Sequence, residues 1–234
     1  MTLPVAILAG GLATRLRPVT ATIPKALVPV RGEPFAFHQL RLLAHNGFKR
    51  AIFLTGYLGE MVTEAVGDGS AFGMEVSYVA DGPVLLGTGG ALARALPALG
   101  PQFAVIYGDS WLEFDYRAAI NHFERDGRPA LMTVFRNEGS WDTSNVLLQD
   151  GEILAYSKAN RTPAMQHIDY GFSLFRQDVL RDVPTDRPTD LATVFEALAA
   201  TGQLAGYEVH QRFYEVGSFA GLADLEAHLG KESP

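Results

Sequence analysis

Short apolar runs that alternate with segments of helical period constrain this chain more than any other feature. The runs are Pro4 to Ala9, Ala51 to Thr55, Met74 to Val79, Phe103 to Tyr107 and Ala130 to Phe135. Between them, Phe35 to His45, Leu58 to Val66, Gly89 to Leu99 and Tyr116 to Arg125 carry the helical pattern. Asn46-Gly47 and Gly67-Asp68-Gly69 stop two of these helices. This order predicts β-α units on a largely parallel sheet flanked by helices. The texture changes after residue 136. Asn145 to Gln149 and Glu152 to Ser157 flank Asp150-Gly151, a two-residue hairpin signal. Ile168 to Phe175 reads as a strand, and Leu191 to Ala200 as a helix with Asp190 at its N-cap. Gly206 to His210 and Arg212 to Val216 read as short strands, and Phe219 to Leu229 as a closing helix. No repeat, low-complexity tract or linker intervenes, so residues 1–234 read as one α/β domain with a hairpin-bearing second half.

Composition narrows the function classes. The chain has 234 residues, 47% of them hydrophobic, which suffices for a sizeable core. It has no Cys, which excludes disulfides, thiolate metal sites and cysteine nucleophiles. A net charge of −7 is the wrong sign for a general nucleic-acid binder, so any phosphate site needs cations concentrated locally. No apolar run approaches the ~20 residues of a membrane span. Met1 to Gly11 lacks the preceding positive residues and cleavage pattern of a signal peptide. The expectation is a cytoplasmic domain without nucleic-acid or membrane partners. The six His show no metal-ligand spacing, and His38 and His45 fall on one helix. Trp111 and Trp141 read first as packing residues.

The first apolar run ends in Leu8-Ala9-Gly10-Gly11-Leu12-Ala13-Thr14-Arg15-Leu16-Arg17-Pro18, with Ile23-Pro24-Lys25 following. Two glycines after a strand let backbone N–H groups approach an anion, as in a phosphate nest. Arg15 adds a planar fork of donors and Lys25 a point charge. Arg15, Arg17 and Lys25 place three cations within eleven residues of an acidic protein. A turn with solvated charges remains the competing account of Gly-Gly alone. Neither G-x-G-x-x-G nor the Gly-Lys-Ser/Thr of a Walker A loop is present.

Gly10-Gly11-x-x-Thr14-Arg15-Leu16-x-Pro18, then Pro24-Lys25-x-Leu27-x-Pro29-Val30-x-Gly32-x-Pro34, resembles the signature of sugar-1-phosphate nucleotidylyltransferases. Gly56-Tyr57-Leu58-Gly59-Glu60, Leu86-Gly87-Thr88-Gly89-Gly90, Gly108-Asp109 and Glu215-Val216-Gly217 come in the order of that family's motifs. The resemblance implies a Rossmann-like nucleotide-diphospho-sugar transferase fold with a mixed, mostly parallel central sheet. It also implies a reaction. A sugar 1-phosphate oxygen attacks the α-phosphorus of a nucleoside triphosphate, with Mg²⁺ as cofactor, and pyrophosphate leaves. Residues 1–136 would then be the nucleotide-binding half and 137–234 the sugar-phosphate half. The expectation at this length is a single domain without the C-terminal β-helix of longer relatives. Self-association, common among relatives, stays open.

The same resemblance assigns roles. Ala9, Gly10, Gly11 and Thr14 would hold the base, ribose and triphosphate, and Leu86, Gly87 and Thr88 would face base and ribose. Arg15 would neutralise the departing pyrophosphate, and Lys25 would bind the α-phosphate and the incoming sugar phosphate. Asp109 would hold Mg²⁺, joined by Glu215 where relatives carry an aspartate. Lys158 aligns with the lysine of a Glu-Lys-Pro motif that contacts the sugar phosphate, and Asp169 and Gly171 with a strand lining the sugar pocket. Ala13, Ser157, Ala159 and Glu215 depart from the pattern. Other readings stay open: a loop-capping Asp109, a surface Glu215, a solvated Lys158, and an Asp169 that pairs with a nearby cation.

Compact length and the Leu-Gly-Thr-Gly-Gly stretch resemble heptose-1-phosphate guanylyltransferases of capsule and lipopolysaccharide pathways. The Gly-Asp-Gly-Ser-x-Phe-Gly run at 67–73 is shared with those and with N-acetylmuramate-1-phosphate uridylyltransferases. The latter more often carry a glutamate where this chain has Gly87, which favours GTP and a manno-heptose 1-phosphate. UTP with N-acetylmuramate 1-phosphate, and UTP or dTTP with a hexose 1-phosphate, are the alternatives. A non-catalytic sugar-nucleotide-binding subunit is the rival class. A glycosyltransferase is disfavoured because the Asp-x-Asp metal motif is missing after the strand ending at Gly108-Asp109.

Overall fold

The computed structural model describes residues 3–11, 14–137 and 139–231. Its first half comprises β1 (Val5–Ala9), β2 (Pro29–Val30), β3 (Glu33–Pro34), α1 (Phe35–His45), β4 (Arg50–Thr55), α2 (Gly59–Val66), β5 (Glu75–Ala80), α3 (Gly87–Leu99), β6 (Gln102–Tyr107), β7 (Ser110–Trp111), α4 (Tyr116–Asp126) and β8 (Ala130–Arg136). The second half adds β9 (Val146–Gln149), β10 (Glu152–Tyr156), β11 (His167–Arg176), α5 (Leu191–Ala200), β12 (Leu204–Val209), β13 (Tyr214–Glu215) and α6 (Phe219–Lys231).

Nine strands form one sheet in the order β5-β4-β1-β6-β11-β8-β12-β10-β9. The strands β5, β4, β1 and β6 are parallel, as the β-α alternation predicts. β11 and β10 run against the remaining strands, which makes the sheet mixed but mostly parallel in direction. The sheet passes through both halves of the chain without a break.

Alternation along the strands builds a core on each face. Val5 and Ile7 of β1 pack with Leu40 and Leu43 of α1, Val62 of α2 and Phe123 of α4. Ala6, on the opposite face, packs with Leu92 of α3 and Phe195 of α5. A smaller cluster of Val30, Phe35, Trp111, Val216 and Leu225 fastens α6 and the β7–β13 pair to the β2–β3 hairpin. Trp111 is therefore a packing residue, whereas Trp141 is half exposed beneath the Arg212 guanidinium.

Two expectations change in detail and a third holds. α3 begins at Gly87, two residues earlier than its apolar pattern, because its first turn is glycine. The strand expected over Arg212 to Val216 shrinks to Tyr214–Glu215, which has only the two-residue β7 to pair with. The Asp150-Gly151 hairpin forms with φ of 50° and 79°, both in the left-handed region a type I′ turn requires. No helix among the described residues is long and apolar enough to cross a membrane.

Candidate active site

Four parallel strands end along one edge, and the residues after each strand converge there. Gly10-Gly11 comes after β1, Gly56 after β4, Asp81 after β5, and Gly108-Asp109 after β6. Ligands of α/β sheets gather at such carboxyl ends. A side chain on Gly56 would meet the Gly10 carbonyl oxygen at 2.7 Å, so the β1 and β4 ends close on each other only with glycine there. Above this edge lies a cavity of about 260 Å³. Leu8, Leu54, Leu85 and Ala91 give it an apolar wall, and Lys25, Asp81 and Asp109 reach it as charged groups. Ala9, Gly10, Gly11, Gly87, Thr88 and Tyr107 also line it.

At one end Lys25 Nζ lies 2.5 Å from Asp109 Oδ2, although 84 residues separate them in sequence. Lys25 is held by a 3₁₀ turn, Lys25–Leu27, which the extended Pro24 introduces and the buried Ala26 anchors. Asp109 is held by three elements. The Gly108 N–H donates to Leu8 O at 3.0 Å, and the Val216 N–H donates to Asp109 O at 2.8 Å. Gln39 of α1 donates through Nε2 to both Tyr107 O and Ser110 O at 2.9 Å, bracing the turn from below.

The pairing of Glu215 with Ser110 brings Glu215 beside Asp109. Burial pushes the Glu215 carboxyl above its usual range, and the Asp109 charge pushes the same way, while Arg15 and Lys25 pull it down. Arg15 Nη2 is 3.4 Å from where a Gly217 Cβ would stand, a position that Glu215 also borders. The structure thus gathers Arg15, Lys25, Asp109 and Glu215, four residues expected from motifs far apart in sequence. Glu215 is not a free surface carboxylate. Among the described residues no group of three or more His, Cys, Asp or Glu forms a metal cage. Two converging carboxylates of hard oxygen character suit Mg²⁺, which keeps several waters and takes one or two protein carboxylates.

A second cluster borders the cavity. Thr88 Oγ1 donates to Asp190 Oδ1 at 3.1 Å and accepts the Leu191 N–H at 2.8 Å. Lys158 Nζ pairs with Asp190 Oδ2 at 3.5 Å, both groups being about half exposed. Burial opposes ionisation of Asp190, but the Ala192 N–H, Lys158 and Thr88 together hold it below the usual range. Tyr107 Oη donates to Asp169 Oδ2 at 3.1 Å, and the Gly171 N–H donates to Asp169 Oδ1 at 3.0 Å. Burial raises the Asp169 carboxyl, against those bonds and the Lys158 charge.

Several sequence expectations shift here. Leu86 is buried and does not line the cavity; Leu85 does, because the Leu86 N–H turns inward to Asp81 Oδ2 at 3.0 Å. In the Leu-Gly-Thr-Gly-Gly stretch Gly87 lines the cavity as expected, and the glycines are also required by packing. Gly87 has φ +69°, and a side chain there would meet Thr189 O at 2.7 Å. The Gly89 and Gly90 N–H groups donate to that same carbonyl. Gly171 sits in a bulge of β11 at φ +103°, and a side chain there would meet Ser110 and Tyr107. Asp169 spends both oxygens on protein donors, and Lys158 pairs with Asp190. Ser157, where relatives carry a glutamate, ties β10 to Glu196 of α5 at 3.0 Å. Ala13 and the Thr14 side chain lie outside the described residues.

Asp81, Tyr107, Gln39 and the second role of Asp190 escaped the sequence reading. For Asp81 one signal existed: it comes directly after a parallel strand, as Asp109 nearly does.

Residues 5–152 match the model of the nucleotidyl transferase family. The chain is 40% identical over 228 residues to N-acetylmuramate alpha-1-phosphate uridylyltransferase of Neisseria meningitidis serogroup B, covering 96% of this chain and 97% of that protein. It is 29% identical to mannose-1-phosphate guanylyltransferase of Mycobacterium tuberculosis over 94% of its own length, and spans only 63% of that relative. The structure of HddC from Yersinia pseudotuberculosis complexed with GMP-PN matches with a TM-score of 0.83 at 23% identity, covering 97% of this chain and 100% of that one, a likeness of fold. By the family model and the full-length relative together, the chain belongs to the nucleotidyl transferase family, among its sugar-1-phosphate nucleotidyltransferases.

Proposed function

We propose that this chain transfers a nucleoside monophosphate from a nucleoside triphosphate to a sugar 1-phosphate, giving a nucleotide-sugar and pyrophosphate. The observation that carries the reading is the Lys25–Asp109 contact of 2.5 Å at the rim of a largely apolar cavity, with Glu215 and Arg15 beside it. An apolar slot suits a base, and a rim of mixed charge suits a phosphate chain with a hard cation. Nucleotidyl transfer asks mainly for positioning and charge neutralisation, and these groups supply both.

In this reading the edge after β1 and the wall from Leu85 to Thr88 hold the nucleoside. Lys25 draws the α-phosphate and the incoming sugar phosphate together, offsetting their mutual repulsion where it peaks. Arg15 takes up the charge that develops on the departing pyrophosphate. Asp109 and Glu215 would hold Mg²⁺, which when bound neutralises α-phosphate charge and fixes its orientation. The sugar phosphate enters from the side of Lys158 and Asp169, whose present partners Asp190 and Tyr107 keep both in place.

The preferred pair is GTP and a manno-heptose 1-phosphate. Its ground is the resemblance in sequence, the compact length and Gly87 where uridylylating relatives more often carry a glutamate. UTP with N-acetylmuramate 1-phosphate is the second reading, favoured by 40% identity along nearly all of both chains. Pyrophosphate release should be measured for GTP, UTP, CTP and dTTP against manno-heptose, N-acetylmuramate and hexose 1-phosphates with Mg²⁺. GTP with the heptose phosphate is expected to turn over fastest. Turnover confined to UTP and N-acetylmuramate 1-phosphate selects the second reading, and none with any pair leaves a binding subunit.

A further inference from the structure

The cavity wall holds one carboxylate that the chemistry above does not use. Asp81 is 5% exposed and lines the cavity directly after β5. Its Oδ2 accepts the Leu86 N–H at 3.0 Å. Its Oδ1 has no hydrogen-bond partner among the described residues, yet it is not sealed within the protein either. Arg94, the neighbouring cation, spends its guanidinium on the carbonyl oxygens of Asp81, Ala80 and Thr185, not on the carboxylate. An acceptor of this kind in an apolar wall calls for donors from whatever fills the cavity.

Strand order says which part of a nucleotide it meets. Asp81 comes after β5 and Asp109 after β6, with β4 and β1 between them. Three strand spacings put the two carboxylates about 14 Å apart. With the phosphates at the Lys25–Asp109 end, the base lies at the Asp81 end, against Leu54 and Leu85.

The bases differ in what they offer a carboxylate. Guanine presents two adjacent donors on one edge, N1–H and the N2 amino group. Uracil and thymine present one N–H between two carbonyl oxygens, both repelled by a carboxylate. Cytosine and adenine present an amino group beside an unprotonated ring nitrogen. We infer that Asp81 is the base-selecting residue of this site and that it selects guanine nucleotides. This rests on the nucleotidyl-transfer reading above and adds to its preferred base the residue that selects it.

Asp81→Asn isolates the effect, because the side chain keeps its shape. The Leu86 N–H still demands an acceptor, which fixes the amide oxygen there and turns the amide NH₂ toward the cavity. An acceptor for guanine becomes a donor for a uracil carbonyl. Calorimetry should compare GTP, UTP and ITP, the last lacking the 2-amino group, on both proteins with Mg²⁺. The wild type is expected to bind GTP at least about tenfold more tightly than ITP or UTP, the worth of one charge-assisted bond. Asp81→Asn is expected to lower the GTP-to-UTP affinity ratio by about tenfold or more. The wild-type ITP comparison needs no variant to fold. Equal GTP and ITP affinities, a wild-type preference for UTP, or an unchanged ratio in the variant overturns the role of Asp81. UTP binding with turnover leaves nucleotidyl transfer standing while Asp81 falls; a wild type that binds no nucleotide overturns both.

Discussion

Lys25 and Asp109 each satisfy the other in the free protein, and each has a different task once substrates arrive. Their side chains are only 20% exposed, so a charge left alone there keeps a strong field. Lys25→Ala should lower kcat by about 10²–10³-fold and change nucleotide affinity far less, because its charge matters most where two phosphates crowd. Steady-state kinetics checks this, and a loss confined to KM contradicts it. Asp109→Asn should lower turnover by at least about a hundredfold while the circular dichroism melt stays cooperative. Glu215 gives a pH signature. Its folded pKa is raised by burial and by Asp109, so the folded chain holds that proton above the pH where the unfolded chain releases it. Stability from this group is therefore present below the unfolded value and declines as pH rises through the folded one. Glu215→Gln should flatten that decline in the metal-free protein and weaken Mg²⁺-dependent activity; a variant with the wild-type stability profile removes the strain at Glu215. Arg15, Lys25, Asp109 and Glu215 were legible because each lies in a short linear pattern. Gln39 and Asp81 were not, since one is a polar residue on an apolar helix face and the other a lone acid after a strand. Their significance arises only when α1 meets the β6–β7 turn, or when β5 takes its place at the sheet edge.

Among the elements, α3 and α5 are locked through their N-termini. Thr189 O receives the Gly89 and Gly90 N–H groups, Thr189 N donates to Leu86 O, and Asp190 both caps α5 and holds Thr88 and Lys158. Asp190→Ala should cost about 1 kcal/mol from the lost cap, with little from the exposed Lys158 pair. Chemical denaturation measures it, and an unchanged midpoint contradicts the cap. Gly87→Ala should cost more, roughly 1–3 kcal/mol, since it meets both a positive φ and a carbonyl oxygen. Residual activity in a folded Gly87→Ala would report how far the cavity wall tolerates displacement. Sequence periodicity located the helices well where apolar spacing persists, as in α1 and α4. It placed the start of α3 too late because glycine carries no hydrophobic signal, and it overextended β13 because alternation does not reveal the length of a partner strand.

Across the whole molecule, the strand order could not be read from the chain, yet it decides the chemistry. Adjacent parallel ends at β5, β4, β1 and β6 set a row of loops, and the two-residue pairing of β7 with β13 carries Glu215 from near the end of the chain to the turn after β6, beside Asp109. The β-α alternation made the parallel part of the sheet legible. The insertion of β11 between β6 and β8 was not, because it depends on long-range pairing that leaves no local mark. A nucleotide with Mg²⁺ should stabilise the protein by about 2.7 kcal/mol at a hundred times its Kd, visible as a raised melting temperature. The most direct test of α-phosphoryl attack tracks the phosphorus atoms. The protein is incubated with Mg²⁺, a sugar 1-phosphate and GTP labelled at either the α- or the γ-phosphate, and the products are separated. Attack on the α-phosphorus puts the α label in a nucleotide-sugar and the γ label in pyrophosphate, and both products should vanish in Asp109→Asn. A γ label appearing on the sugar, or products undiminished in that variant, contradicts it.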